Sequence, residues 1–323
     1  MRFLLAFLVF LSISFRCYSQ YAPRDNWAGT TAIPKDSALF VDWANQGMIY
    51  RGWQDIRDTS IGRVSGGLPT MAFSYANGEA VSLGDGGSMV LEFDVPIVDG
   101  PGYDFAVFEN GFHIRNQGDS DFLELAFVEV SEDGQNWVRF PSLSDNDTLV
   151  QLGTYSGMKA SRVHNLAEKY VAGYGTPFDL NELQDSGLNL MNIRYVRIVD
   201  VVGSLEDGIA SRDGRGHKIN DPFPTAFAQG GFDLDGVGVI HNLHAPNGLS
   251  EMRRFRPFPN PSRAGQGIRL SEVQEVSYQI YTITGYLLEE GLGLEAGKKL
   301  SPGLYILHVS GPQPQNIRWI VQE

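Results

Sequence analysis

Short apolar runs, broken at regular intervals by turn-forming residues, dominate the middle of this chain and constrain its fold more than any other feature. Between Gly87 and Phe140 the apolar runs are separated by Gly-, Pro- or Asp-rich turns, spaced roughly every ten residues. Such spacing is typical of antiparallel sandwiches. The sequence therefore predicts an all-β fold, with an antiparallel β-sandwich as its main part.

One run, FLELAFVEV at Phe122–Val130, is apolar on both of its alternating faces and carries one carboxylate on each, Glu124 and Glu129. A strand of this kind is expected between two covered layers. A buried carboxylate costs free energy unless a cation or several N–H donors meet it. These two acids are therefore expected to have specific partners.

The pair Glu124 and Glu129 also allows a glycosidase hypothesis, because paired carboxylates cleave glycosidic bonds. On one continuous strand, however, their odd separation points them to opposite faces, so they do not flank one bond. We expect Glu129 to meet an arginine of the Arg194–Arg197 strand instead.

Four other acids stand at predicted strand ends, next to glycines whose neighbouring carbonyls can turn inward. Calcium takes six to eight oxygens from carboxylates and carbonyls of this kind, so the sequence predicts a structural calcium site. The residues for it are Asp104, Glu109, Asp233 and Asp235. In the alternative interpretation these acids cap turns or pair with Arg194, Arg197 or Arg212.

A long polar loop, Glu206–Thr225, lies between two predicted strands and is the expected ligand-binding rim, since binding residues concentrate on loops held by a rigid scaffold. Its candidate ligand-binding residues are Asp207, Arg212, Arg215, His217 and Asp221.

Composition narrows the functional classes. The 323 residues are 42% hydrophobic, enough for a large core, and the formal net charge is −13. That acidity argues against nucleic-acid partners and anionic membranes. Cys17 is the single cysteine, so no intrachain disulfide can form. An exported chain without bridges depends on a large core or on bound ions.

The first residues have the pattern of a signal peptide. Arg2 precedes an apolar run to Phe15, and small residues precede an expected cleavage after Ser19. Beyond this segment no apolar span of transmembrane length occurs, so no transmembrane helix is expected. The predicted organisation is a signal peptide at 1–19, an N-terminal extension packed on the sandwich at 20–80 and a binding domain at 81–245.

A polar linker at 246–254 leads to a tail, about 255–323. The short apolar runs of the tail predict several short strands and a small immunoglobulin-like sandwich. The tail contains Phe258-Pro-Asn-Pro-Ser262, Val276-Ser-Tyr-Gln-Ile-Tyr-Thr-Ile-Thr-Gly285, Leu300-Ser-Pro-Gly-Leu-Tyr-Ile306 and a last strand at Ile317–Val321. It resembles the type A sorting domain of the type IX secretion system of Bacteroidota. The resemblance implies export through the outer-membrane translocon to the cell surface or the medium. The ending Gln322-Glu323 departs from the basic residue common in that family.

The central region, about Val81 to Asn242, resembles a discoidin or galactose-binding-like jelly roll, which implies a jelly-roll-like β-sandwich. The resemblance depends on Val130-Ser-Glu-Asp-Gly-Gln-Asn-Trp-Val138, Arg194-Tyr-Val-Arg-Ile198 and Phe232-Asp-Leu-Asp-Gly-Val-Gly-Val-Ile240. Such motifs indicate a fold more than an activity.

No HExxH helix motif, G-x-S-x-G elbow or mature cysteine nucleophile occurs. This favours a binding protein over an enzyme. We expect an exported surface protein that binds a glycan or another small ligand through loops at one end of the sandwich. Two alternatives stay open: a polysaccharide hydrolase, and an adhesive or structural surface protein. A carboxylate trio in a deep cleft would favour the hydrolase, and a shallow arginine-lined end would favour binding.

Overall fold

The computed structural model describes residues 21–243, 261–270, 276–283, 286–309 and 315–323. The predicted signal peptide and linker lie outside these ranges. Within them the helices are short 3-10 turns, and none has the length and apolar character needed to cross a membrane. These turns are Thr59–Ile61, Pro69–Ala72, Ala160–Arg162 and Leu180–Leu183.

Strands make up the regular structure of the described residues. In chain order they are β1 (Ile33–Pro34), β2 (Asp42–Trp43), β3 (Gln46–Tyr50), β4 (Val81–Ser82), β5 (Ser88–Ile97), β6 (Phe105–Glu109), β7 (Phe112–His113), β8 (Ser120–Phe122), β9 (Ala126–Ser131), β10 (Val138–Arg139), β11 (Leu143–Ser144), β12 (Met158–Lys159), β13 (Val163–His164), β14 (Tyr174–Phe178), β15 (Ile193–Asp200), β16 (Asp233–Val239), β17 (Ser262–Arg263), β18 (Ile268–Arg269), β19 (Val276–Thr282), β20 (Leu287–Gly293), β21 (Glu295–Ala296), β22 (Gly303–Val309) and β23 (Gln315–Gln322).

Two antiparallel sheets form the main sandwich. The first has the order β1-β14-β6-β16-β2, with β4 also paired to β16, and the second has the order β10-β9-β15-β5-β3. The chain alternates between them, since β5, β9 and β15 lie in the second sheet and β6, β14 and β16 in the first. The predicted jelly-roll-like β-sandwich is confirmed.

The core of this sandwich lies between the inward faces of the two sheets. It is built from one contiguous set of buried apolar side chains, which includes Met89, Leu91, Phe93, Phe105, Val107, Val128, Val196, Ile198, Phe232 and Val237. Burial of such side chains contributes most of the favourable free energy of folding. Phe105 stacks on Phe178 with ring centroids 5.4 Å apart, which joins β6 to β14 in the same sheet.

The predicted continuous strand Phe122–Val130 is wrong. The chain forms β8 up to Phe122 and β9 from Ala126, and these two strands belong to different sheets. In the break, the N–H of Glu124 donates to the Glu168 carboxylate at 2.5 Å. The N–H of Leu125 donates to the Asp221 carboxylate at 3.2 Å. Carboxylates thus meet two backbone donors that a neighbouring strand would otherwise satisfy.

The tail forms a second all-β unit. A five-stranded sheet of order β17-β23-β22-β19-β20 and a two-stranded sheet of β18 and β21 share a cluster of buried side chains: Ile268, Leu270, Tyr278, Ile280, Ala296, Leu307, Trp319 and Val321. The predicted small sandwich is therefore present. Its assignment as a secretion sorting domain stays a prediction.

Candidate functional site

Four acidic side chains converge at one end of the first sheet. Glu109 is the last residue of β6 and Asp233 is the first of β16, and these strands are antiparallel neighbours with Leu234 opposite Glu109. The break between β8 and β9 brings Glu124 to the same place, with carboxylate oxygens of Glu109, Glu124 and Asp233 within 4.8 Å of one another. Glu168, in the loop before β14, completes the group. We call these four residues the acidic cluster.

Backbone donors satisfy part of the acidic cluster. The two Glu109 oxygens accept from the N–H of Asp233, at 3.2 Å, and from the N–H of Gly111. One Glu168 oxygen accepts from the N–H of Glu124. One Asp233 oxygen accepts from the Asn110 amide at 3.0 Å. These donors fix the orientation of the carboxylates without supplying a positive charge.

Two oxygens of the acidic cluster have no hydrogen-bond donor among the described residues. They are Oε1 of Glu168 and Oδ1 of Asp233, both enclosed in the protein. Glu168 is 1% exposed, and its carboxyl group contacts that of Glu109. Two ionised carboxylates in contact repel each other strongly at low local dielectric. This arrangement calls for a proton or a cation between them.

The electrostatics of the acidic cluster agree with its geometry. Burial raises the pKa of Glu109 to about 8. Burial raises the pKa of Glu124 well above its usual range, and Glu109 and Asp233 raise it further. Burial also raises the pKa of Glu168, with a further contribution from Glu109. In each case the charged form lacks a compensating positive charge.

Arg51 is the cation that acts on Asp233. Its guanidinium group, however, donates to backbone carbonyls of Gly66, Gly67 and Ser82. It therefore contributes a favourable charge from a distance and no hydrogen bond to the acidic cluster.

Two further buried acids lie next to the acidic cluster and have their own donors. Asp200 accepts from the N–H groups of Gly86, at 3.0 Å, and Phe232, at 2.9 Å, and burial raises its pKa to about 8. Asp221 accepts from Leu125, and burial raises its pKa well above the usual range.

The four predicted metal ligands do not all come together. Glu109 and Asp233 meet in the acidic cluster, whereas Asp104 stands at the opposite end of β6 and accepts from the N–H groups of Gly100 and Leu180. Asp235 accepts from the N–H groups of Asn77 and Gly78 at 3.1 Å. Backbone donors thus cap both carboxylates, as in the alternative interpretation, and Asp104 also lies with Asp99 and Asp179 in a group whose carboxylate oxygens are within 4.8 Å of one another.

The predicted rim loop lines a shallow polar cleft of about 910 Å³. Arg212, Arg215 and His217 belong to its lining, as do Arg162 and Lys218. Asp207 stands beside it and pairs with Lys218 at 2.8 Å and with Arg212 at 3.4 Å. Asp221 is 3% exposed and lies beneath the loop, where it binds the backbone of Leu125 instead of facing the cleft.

Buried side chains hold the rim in place. The Asp213 carboxylate accepts from the N–H groups of Ser144, Arg215 and His217. Asn220 donates to the carbonyls of Asp147 and Val150 and accepts from the N–H of Leu152. Because its backbone is anchored in this way, the cleft presents its side chains in a defined arrangement before any ligand arrives.

Glu129 has the partner that its sequence position predicted. Arg197, on the adjacent strand β15, donates from Nε to the Glu129 carboxylate at 2.5 Å. Arg139 on β10 donates to the other oxygen at 2.8 Å, a second arginine that the sequence interpretation missed. Both arginines also stack on aromatic rings, those of Trp137 and Phe127. Glu129 thus forms ion pairs with two arginines, and its role is structural.

A second cavity, of about 600 Å³, lies along residues 21–29 and is lined by Arg24, Trp27 and Asp119 among others. Trp27 is an exposed aromatic there. The cavity offers fewer charged groups than the rim cleft.

Neither the protein-family models nor the curated proteins give a match to this chain. The site is therefore interpreted from its own residues.

Proposed function

We propose that this chain is an exported surface protein that binds an acidic glycan in the cleft under the rim loop. The observation that carries the proposal is the cleft itself. It is an open, preformed depression lined by Arg162, Arg212, Arg215, His217 and Lys218 in a chain whose formal net charge is −13.

The lining suits a sugar. Glycan hydroxyl groups both donate and accept hydrogen bonds, and the cleft offers the carboxylate of Asp145, the amide of Asn146 and the hydroxyl of Thr148 next to its cations. Arginine binds planar carboxylates with two parallel hydrogen bonds. A uronic or sulfated sugar combines these requirements.

The hydrolase alternative has less support. The carboxylate trio of Glu109, Glu124 and Asp233 is mostly enclosed instead of lining an open cleft, and Glu129 is held by two arginines. The cleft itself contains Asp145, which pairs with Arg215 at 2.7 Å. An arginine-lined, shallow end is the arrangement expected of a binding protein.

The proposal for export depends on the sequence. A signal peptide at 1–19 and a tail that resembles the type IX sorting domain support delivery to the cell surface or the medium through the outer-membrane translocon. The strands β17 to β23 in the described residues of the tail are compatible with this.

Binding of acidic and neutral oligosaccharides to the purified full chain tests the proposal. We expect oligogalacturonate or chondroitin sulfate fragments to bind and neutral glucans to bind weakly or not at all. Arg212→Ala combined with Lys218→Ala should weaken binding about tenfold or more, since each removes a charged contact. Lys159→Ala, which removes an exposed cation paired with Asp119 outside the cleft, is the matched control. Equal binding by all three proteins would refute the assignment of the cleft.

A further inference from the structure

We propose that Glu109, Glu124, Glu168 and Asp233 bind one calcium ion. The inference is independent of glycan binding, since these residues and the rim cleft share no side chain. Two of the four, Glu124 and Glu168, are not among the ligands that the sequence predicted.

The donor set selects the class of metal. All four groups are carboxylates, and hard oxygen donors without imidazole or thiolate suit calcium or magnesium rather than zinc or copper. The carboxylate oxygens of Glu109, Glu124 and Asp233 lie within 4.8 Å of one another, close enough to share one ion. Calcium takes six to eight oxygens, which four carboxylates can supply, whereas magnesium usually keeps several waters and binds one or two carboxylates.

The second observation that indicates a ligand is the pair of oxygens without donors. Oε1 of Glu168 and Oδ1 of Asp233 are enclosed and receive no hydrogen bond from the described part of the chain. Glu168 also has a φ of 58°, a left-handed backbone conformation that is uncommon for glutamate. A bound cation gives both oxygens a partner and offsets the repulsion between Glu109 and Glu168.

The position of the acidic cluster explains what the ion does for the fold. The four ligands come from the end of β6, the start of β16, the break between β8 and β9 and the loop before β14. A single ion joins four segments that are far apart in sequence, in a mature chain that has no cysteine for a disulfide. Because Glu109 and Glu168 are 2% and 1% exposed, we expect the ion to bind during folding and to exchange slowly afterwards.

The metal content of the full chain tests this first. After denaturation with a chelator, the protein is refolded with or without millimolar calcium and freed of unbound metal, and its metal content is measured by mass spectrometry. We expect one calcium ion per chain after refolding with calcium. We also expect the midpoint of thermal unfolding to rise by about 10 °C relative to the calcium-free sample, and to rise less with magnesium.

Variants locate the ion. Glu124→Gln and Glu168→Gln keep side-chain volume and an acceptor oxygen but remove a charge, and each should weaken calcium binding about 100-fold. Asp235→Asn is the matched control, because Asp235 is a buried acid outside the acidic cluster that accepts backbone N–H groups. It should keep the metal.

Three results would overturn the proposal. They are a wild-type chain that contains no calcium after refolding with it, an unfolding midpoint that calcium does not change, and calcium lost from Asp235→Asn but kept by Glu168→Gln. The first two are measured on wild-type protein, so they stand even if a variant does not fold. If any of the three results is obtained, the carboxyl groups of Glu109 and Glu168 are held together by a shared proton instead of a calcium ion.

Discussion

The carboxylate of Glu168 accepts the backbone N–H of Glu124 at 2.5 Å across 44 residues of chain. This bond takes the place of a ladder hydrogen bond at the point where β8 ends and β9 has not yet begun. The interruption turns the Glu124 side chain towards Glu109 and Asp233. A strand break thus creates the acidic cluster.

Gly111 should be intolerant of any side chain. A Cβ placed there would lie 2.1 Å from Oε1 of Glu168 and 2.6 Å from the backbone oxygen of Phe122. Gly111→Ala is therefore expected to displace Glu168 and to lower the free energy of unfolding by at least about 2 kcal/mol. Urea denaturation monitored by tryptophan fluorescence measures the change.

Gly153→Ala is the control for this substitution, because the nearest atom to its Cβ would be Oγ of Ser156 at an ordinary 3.6 Å. We expect its unfolding free energy to stay within about 0.5 kcal/mol of wild type. Equal effects of the two substitutions would contradict the close contact at Glu168.

Removal of Glu129 should be costly because two arginines would lose their anion. Glu129 is 5% exposed, whereas Arg139 and Arg197 are partly exposed and regain some solvation. Glu129→Ala should therefore lower the free energy of unfolding by about 2 kcal/mol, which is less than the loss when one partner of a fully buried ion pair is removed. The exposed pair of Asp119 and Lys159 gives the comparison, and Asp119→Ala should cost less than about 1 kcal/mol. A smaller loss for Glu129→Ala than for Asp119→Ala would show that the two arginines do not depend on Glu129.

Asp85 should make stability depend on pH. Burial raises its pKa to about 6, against about 3.9 in the unfolded chain. Its contribution to stability is therefore fully present below about pH 4 and is lost as pH rises through about 6. At about pH 8 the ionised Asp85 lowers the free energy of unfolding by about 3 kcal/mol.

The variant Asp85→Asn keeps an oxygen that can accept from the N–H of Ile56, as Asp85 does at 2.8 Å, but it does not titrate. Between about pH 4 and about pH 8, at constant calcium, the wild type should lose more unfolding free energy than the variant. Parallel pH profiles of the two proteins would show that Asp85 ionises in the folded state as it does in water.

Asn220 should control the order of the cleft without lining it. It is 1% exposed and bonds the backbone of Asp147, Val150 and Leu152. Asn220→Ala leaves these groups without their partner. Each buried group left in this way lowers the free energy of unfolding by about 1–3 kcal/mol. Hydrogen exchange should speed up in residues 147–152 and leave β5 and β15 unchanged. Uniform acceleration across the sandwich, or none, would contradict this local role.

Much of the fold follows from the sequence because apolar runs and turn residues act locally. The acids at the two ends of β6 and the strand β15 lie where the alternation of apolar residues predicts. The partner of Glu129 was predicted as well, since a buried acid on one strand needs a cation on the next.

The acidic cluster was only half predictable. Glu109 and Asp233 stand at strand ends beside glycines, a local signal, but Glu168 lies in a segment, Leu166 to Tyr170, with no periodic pattern. The break at Leu123–Leu125 is equally hidden, because carboxylates from distant loops satisfy its backbone. Asp221 looked like a rim residue from its polar neighbours, and only its tertiary contact with Leu125 places it inside.

The central claim is that the rim cleft binds a glycan and leaves it intact. The most direct measurement incubates the full chain with a saturating panel of acidic and neutral oligosaccharides and records both retention and new reducing ends in the same samples. The account predicts that acidic oligosaccharides are retained at their original length, with no reducing ends above the protein-free control. Release of shortened products, or no retention of any oligosaccharide, would contradict it.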